Sequence, residues 1–418
     1  MISTLWNEFF AKIIATILAP VFIGILYYLF RRLSRAFQAL RLAEGALGAV
    51  ARQVAHGEWV EGPGFWLKKP IVKPPHYDLA MKASIPILMI ATLKGGVGKT
   101  TLAGSLAAHF AMRWTKARDN QGEDPSLRVL LIDLDFQGSL STMTVPQGDR
   151  QVVPSKANRL VSGEIGDGLQ RNSAPRVNRP NTKPLTAWTV PAYYDLAQAE
   201  NRMLVEWLLP LSDYDFLAWL MKLFRRGLPP SPRSKKDVRY LLAEALLDAR
   251  VQQGYDLVIV DAPPRLTTSH VQAMCAATYL IIPTILDQLS LDAVARYVDQ
   301  IATHKLGPPG NDSLAISPYL EAIGVVGTMI PPQIDVSGPF TLLKQTLAVA
   351  RLTPHVFEQH TIRQRPPYRR CAGERIAYAA VEQNQLFQRL REEVDRLGYQ
   401  IGDRMGAAGR GWVRREAR

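Results

Sequence analysis

Lys94-Gly95-Gly96-Val97-Gly98-Lys99-Thr100-Thr101 is the stretch that decides the fold of this 418-residue chain. An apolar run from Ile85 to Leu93 precedes it and reads as a buried strand, and a helical pattern from Leu102 to Trp114 follows. Strand, glycine-rich loop, helix is the context a phosphate-binding loop requires. Glycines let successive backbone N–H groups turn inward around an anion, and the helix N-terminus adds its dipole at the same spot. Gly95, Gly96, Val97, Gly98, Lys99, Thr100 and Thr101 are therefore the expected cradle. Lys99 is placed to reach the β- and γ-phosphates, and the Thr100 hydroxyl to sit on Mg²⁺.

Further strands end in carboxylates. Arg128-Val-Leu-Leu-Ile-Asp133-Leu-Asp135-Phe136-Gln137-Gly138-Ser139 is a strand closed by two acids and a glycine turn, and Tyr255-Asp-Leu-Val-Ile-Val-Asp261-Ala-Pro263-Pro264 is another. Acids at the C-terminal ends of parallel strands face the ligand crevice of a doubly wound sheet. Thr278 to Thr284 and Ala322 to Ile330 read as further buried strands, with a helical pattern from about Leu289. The expected fold class is α/β: a doubly wound, mostly parallel sheet covered on both faces.

Lys94 narrows the family. With a second lysine five residues before Lys99, the loop resembles the deviant Walker A motif of the ParA/MinD ATPases. Asp133-Leu-Asp135-Phe-Gln137-Gly138 is similar to their D-x-D-P-Q-G signature, with Phe136 where proline is usual. Asp261-Ala-Pro263-Pro264 matches their Walker B ending. The resemblance runs from roughly Ile85 to Leu397. It implies ATP and Mg²⁺ as cofactors, with ATP hydrolysis as the reaction. Lys94 would reach across an ATP-dependent homodimer to the partner's nucleotide, and Asp135 would orient the attacking water. Asp133 would support the Mg²⁺ shell and Asp261 would hold the ion, usually through water. Pro331 and Pro332 lie where the family holds the base.

The chain departs from that family at its start. Ile13 to Phe30 is an almost unbroken apolar run, long enough at about 1.5 Å per residue to reach across a hydrocarbon core. Lys12 precedes it, Arg31, Arg32, Arg35 and Arg41 follow, and aromatic residues bracket it. By the positive-inside bias this predicts a single-pass anchor in a bacterial inner (cytoplasmic) membrane, with the ATPase domain in the cytoplasm. A buried core helix is the competing reading. The expected organisation is residues 1–32 as membrane anchor, 33–82 as amphipathic helix and linker, 83–400 as ATPase domain with an insertion at about 141–236, and 401–418 as a basic tail. Within the insertion, 141–183 reads as a long loop and Met203 to Arg226 as a helical hairpin. Trp59 and Trp66 in the linker are candidates to pack on the ATPase domain.

Formal net charge is +13, with Lys+Arg outnumbering Asp+Glu 50 to 37. That excess suggests a polyanionic partner, either DNA phosphates bound without sequence preference or an anionic membrane leaflet. The densest cluster is Arg363, Arg365, Arg369, Arg370 and Arg375. Cys275 and Cys371 have no metal-ligand spacing, which excludes a cluster-bearing, nitrogenase-reductase-like role. A bacterial tyrosine kinase shares the deviant loop but would carry a tyrosine-rich tail, and residues 379–418 hold only Tyr399. The expected function is a membrane-anchored ATPase switch controlling an unidentified protein partner. The alternative is a DNA or plasmid partition or positioning ATPase that binds non-specific DNA.

Overall fold

A computed structural model describes residues 27–28, 65–67, 69–116, 126–145, 157–162, 176–177, 185–208 and 236–415. The chain divides into two units, Met1–Gly62 with Val205–Ser234, and Pro63–Leu204 with Lys235–Arg418. Nearly all described residues belong to the second.

In chain order that unit begins with helix α1 (Tyr77–Ala83) and strand β1 (Ile87–Ile90), followed by α2 (Lys99–Arg113) and β2 (Trp114–Lys116). Strand β3 (Val129–Asp133), helices α3 (Ser139–Thr144) and α4 (Ala157–Val161), β4 (Ala187–Val190) and α5 (Tyr194–Leu208) come next. The second half holds α6 (Leu241–Leu246), α7 (Ala249–Gly254), β5 (Leu257–Asp261), α8 (Thr268–Ala276), β6 (Tyr279–Thr284) and α9 (Gln288–Leu306). It ends with β7 (Glu321–Gly327), α10 (Ser337–Ala348), α11 (Pro366–Cys371), α12 (Gln385–Arg404) and β8 (Trp412–Arg414).

Six strands form one sheet in the order β4-β3-β5-β1-β6-β7, every pair parallel. Their sequences are near-continuous apolar runs, and every residue of β1, β3, β4 and β5 is buried. That is the signature of a sheet covered by helices on both faces. Parallel pairing also brings all C-terminal strand ends to one edge. Asp133 and Asp261 stand opposite each other in the β3–β5 register, and Ile90, which leads into the phosphate-binding loop, pairs with Asp261.

Helix α2 descends from the loop into the core, buried over most of its length. Helix α12 lies against it. Asn384 caps α12 by accepting hydrogen bonds from the amides of Leu386 and Phe387, and Phe387, Leu390, Val394, Leu397 and Ile401 recur at helical spacing on the buried face. Gly398 and Gly402 permit the approach: a Cβ would come within 2.3 Å of the His109 ring at one and 2.6 Å of Trp114 at the other. The Trp114 indole N–H donates to His109 Nε2 at 3.1 Å, which places the imidazole proton on Nδ1, 2.8 Å from Asp395. Burial holds His109 below the ordinary histidine range, with Asp395 opposing.

Three expectations change, and a fourth falls outside the described residues. Residues 401–415 are not a free tail. Trp412–Arg414 pairs antiparallel with β2, Trp412 is buried against Phe110, and the Arg414 guanidinium lies over the Tyr399 ring at 4.8 Å. Apolar burial of Ile401, Met405, Ala407 and Trp412 outweighs the segment's basic composition. Within 141–183, α3 extends to Thr144 and α4 is helical, anchored by Ala157 N–H to Pro191 O at 3.1 Å. The proposed hairpin from Met203 to Arg226 lies outside the described residues beyond Leu208. The single-pass membrane assignment is corrected: no helix among the described residues is long and apolar enough to cross a membrane. The long described helices, α9 and α12, carry charges along their solvent faces. Residues 13–30 lie outside the described residues except Tyr27 and Tyr28.

Of the two linker tryptophans, Trp59 lies outside the described residues and Trp66 packs on the unit. Trp66 is buried and its indole N–H donates to Leu266 O at 3.4 Å. Arg239 holds this strap in place. Its guanidinium, fully buried, donates to the carbonyls of Trp66 (2.7 Å), Lys69 (3.3 Å) and Pro70 (2.6 Å) and to the Asp237 carboxylate. A buried guanidinium is tolerated only when its donors are satisfied in this way.

Candidate functional site

The loop leaving β1 turns back through Gly96 (φ +75°) and Gly98 (φ +77°), a left-handed conformation that side chains resist, and enters α2 at Lys99. The Thr328 hydroxyl, just past β7, donates to Val97 O at 2.6 Å. Met329, itself at φ +55°, packs on Gly98, where a Cβ would lie 3.1 Å from its Cγ. Thr328 and Met329 are site residues that no motif announces.

Lys99 is buried in a cleft of about 490 Å³ that also contains Gly95, Gly96, Gly98, Thr100 and Thr101. Its ammonium donates to Lys94 O at 3.1 Å. Burial lowers its pKa, with the Asp261 and Asp135 carboxylates opposing. Asp261, 1% exposed, makes no well-formed hydrogen bond through either buried oxygen. Burial and then the neighbouring Asp133 charge push its pKa well up, and the Thr100 hydroxyl and Lys99 offset part of the rise. An orphaned buried carboxylate beside a lysine and a threonine hydroxyl is a donor set that fits a hydrated divalent cation.

Asp133 is differently committed. Oδ1 accepts the Asp135 amide at 3.0 Å, and Oδ2 accepts the Ser141 amide at 2.9 Å and hydroxyl at 2.7 Å. Burial pushes its carboxyl up to about 7 against the pull of these bonds. Its visible work is to shape the loop from Asp135 to Ser141. Asp135 lines the cleft and accepts the Gln137 amide at 3.0 Å.

Lys94 does not line this cleft. Its ammonium reaches outward to Asp287 (3.0 and 3.1 Å) and to the Ser290 hydroxyl (2.6 Å) at the start of α9. Sequence reasoning had no signal for Asp287 and Ser290, which lie 193 and 196 residues further along the chain.

Pro331 and Pro332 lie past β7 outside the cleft lining, where their carbonyls accept from Arg363 Nη1 at 3.1 and 3.3 Å. The arginine cluster is split. Arg363 is tied to those carbonyls and to Ile334 O, Arg365 to the buried Glu393, and Arg375 to Glu382. Arg369 and Arg370, in the last turn of α11, are exposed. A larger cleft of about 850 Å³ opens at the start of β7, the opposite end of the sheet strands from the phosphate loop. Lys344 and Glu358 on its wall pair with each other at 2.7 Å. Volume alone does not mark the site; the loop geometry and the orphaned carboxylate do.

Parallel sheet, phosphate loop, and acids at adjacent strand ends define a P-loop nucleotide-binding protein. A family model described as an AAA domain matches residues 227–316. The chromosome-partitioning ATPase Soj of Thermus thermophilus is 28% identical over 249 residues, 60% of this chain and 71% of that protein. The chromosome partitioning protein ParA of Caulobacter vibrioides is 28% identical over 244 residues, 58% of this chain and 69% of its own length. Among solved structures, the ParA of pnob8 superposes with a TM-score of 0.53 at 16% identity, covering 77% of this chain and 99% of that one, a likeness of fold. The chain is thus similar in sequence to partitioning ATPases of the ParA type, and the solved structure adds a likeness of fold.

Proposed function

We propose that this chain is an ATP-hydrolysing switch that acts in the partition or positioning of DNA, as a homodimer formed with ATP. The observation that supports this reading is the place of Lys94: its ammonium turns away from its own cleft to Asp287 and Ser290, contacts that it would exchange for the partner's nucleotide in a dimer. The similarity to Soj and ParA supports partition over a membrane role.

In this reading the amides of Gly95 to Thr101 and the Lys99 ammonium bind the phosphates, and Thr100 and Asp261 hold Mg²⁺. Bound Mg²⁺ supplies counter-charge to the phosphates; the rest of the work is positioning. Asp135 orients the attacking water, and Asp133, through the Asp135 amide, sets where that carboxylate points. Lys94 contributes charge to the partner's site. The DNA contact falls to the exposed Arg369 and Arg370, since Arg363 and Arg365 are engaged within the fold.

The test is retention on non-specific duplex DNA at ~150 mM salt, where weak phosphate contacts are largely screened. Wild type should be retained with ATP and released with ADP, and Lys94→Ala should bind ATP yet not be retained. Equal behaviour of wild type in both nucleotides would sink the partition reading.

A further inference from the structure

Arg375 belongs by sequence to the basic cluster, yet it lines the nucleotide cleft. The turn that carries it sits directly on α2: a Cβ at Gly104 would lie 3.2 Å from Ile376 Cγ1. Lys99, Thr100 and Asp135 line the cleft together with Tyr368, Cys371 and Arg375 of the C-terminal segment. The guanidinium is underused. Nη2 pairs with Glu382, and Nε is buried without a well-formed hydrogen bond, beside the Cys371 thiol.

The pair with Glu382 leaves the two side chains 28% and 37% exposed, and pairs that meet solvent are weakly held. Glu382 would keep a cationic neighbour on losing it, because, after its own backbone amide, the Arg391 guanidinium also holds its carboxyl below the ordinary range. A phosphate oxygen entering the cleft is a stronger partner for a guanidinium fork than a half-exposed carboxylate.

We propose that Arg375 is a nucleotide-phosphate ligand contributed by the C-terminal segment, exchanging Glu382 for a phosphate oxygen when ATP binds. This rests on the nucleotide-binding reading above. It assigns Arg375 to the cofactor and removes it from the DNA surface.

Calorimetric titration of the full chain with Mg²⁺-ATP tests it through two opposite signs. Arg375→Ala should weaken ATP binding by about tenfold, the loss expected for one charge-assisted contact. Glu382→Gln, which frees the guanidinium, should tighten ATP binding by roughly twofold to fivefold. Glu382→Gln keeps the test decisive should Arg375→Ala fail to fold. Wild-type affinity in Arg375→Ala, or weakening in Glu382→Gln, overturns the inference. A wild-type chain that binds no ATP overturns the nucleotide reading itself, and the inference with it.

Discussion

The rim of the phosphate loop and the arginine-rich segment from Arg363 to Arg375 are both dense in charge, but they use it in opposite ways. At the loop, charge is left over: both oxygens of Asp261 are buried without a well-formed partner, and Lys99 finds only a backbone carbonyl. In the arginine segment most charge is consumed, with Arg363 on three carbonyls, Arg365 on Glu393 and Arg375 on Glu382. Unspent buried charge marks a binding site because the fold tolerates its cost only if something compensates. Charge paired in a buried contact, as Arg365 is on Glu393, serves structure, whereas half-exposed pairs such as Arg375 with Glu382 are weakly held and open to exchange.

The sharpest way to break this contrast is Lys99→Ala. If Lys99 is unspent charge awaiting phosphate, its removal should lower ATP turnover on the order of 1,000-fold, read as phosphate release. A variant within a few-fold of wild type would mean that the cleft is not the reacting site.

Next comes a comparison inside the arginine segment. Arg365→Ala leaves the Glu393 carboxylate, 7% exposed, without its ion-pair partner, and should cost about 3 kcal/mol in urea denaturation. Arg369→Ala and Arg370→Ala should stay within about 0.5 kcal/mol of wild type while weakening ATP-dependent DNA retention. Equal destabilisation by all three would erase the distinction between spent and available arginines.

The smallest effect is on stability at Asp261. Its raised pKa means that the folded, nucleotide-free chain binds a proton more tightly there than the unfolded chain does. This stabilising contribution is fully present below the unfolded carboxyl value of about 3.9 and is lost as pH rises through the folded value. Asp261→Asn removes the ionisation, so the variant should be more stable than the nucleotide-free wild type by about 1 kcal/mol at about pH 8, and by less at about pH 5. Urea midpoints at the two values measure this, and a gap independent of pH would show that no buried carboxylate charge is being relieved.

The phosphate loop was legible because its cradle is built from consecutive residues. The amides proposed to bind the phosphates run from Gly95 to Thr101, so the pattern that shapes them is local. Asp133 and Asp261 were legible as acids closing apolar strands, although their different commitments were not. Asp133 spends its oxygens on Ser141 and Asp135 while Asp261 spends neither, and this depends on how the following loops turn. Composition misled where burial decides: residues 401–415 read as a basic tail, yet Trp412 belongs to the core. The apolar run at 13–30 pointed to a membrane span that no helix among the described residues provides.

By itself, then, the sequence determined the parallel α/β sheet and the nucleotide loop, because alternating apolar runs and contiguous glycines carry their geometry locally. Tertiary structure alone decided where Lys94 rests, which arginines are free, that Thr328 supports Val97, and that Arg239 binds the strap around Trp66. Each of these is a contact between residues far apart in the chain. Whether a charge meets a partner or is left for a ligand is settled only when the fold has chosen its neighbours.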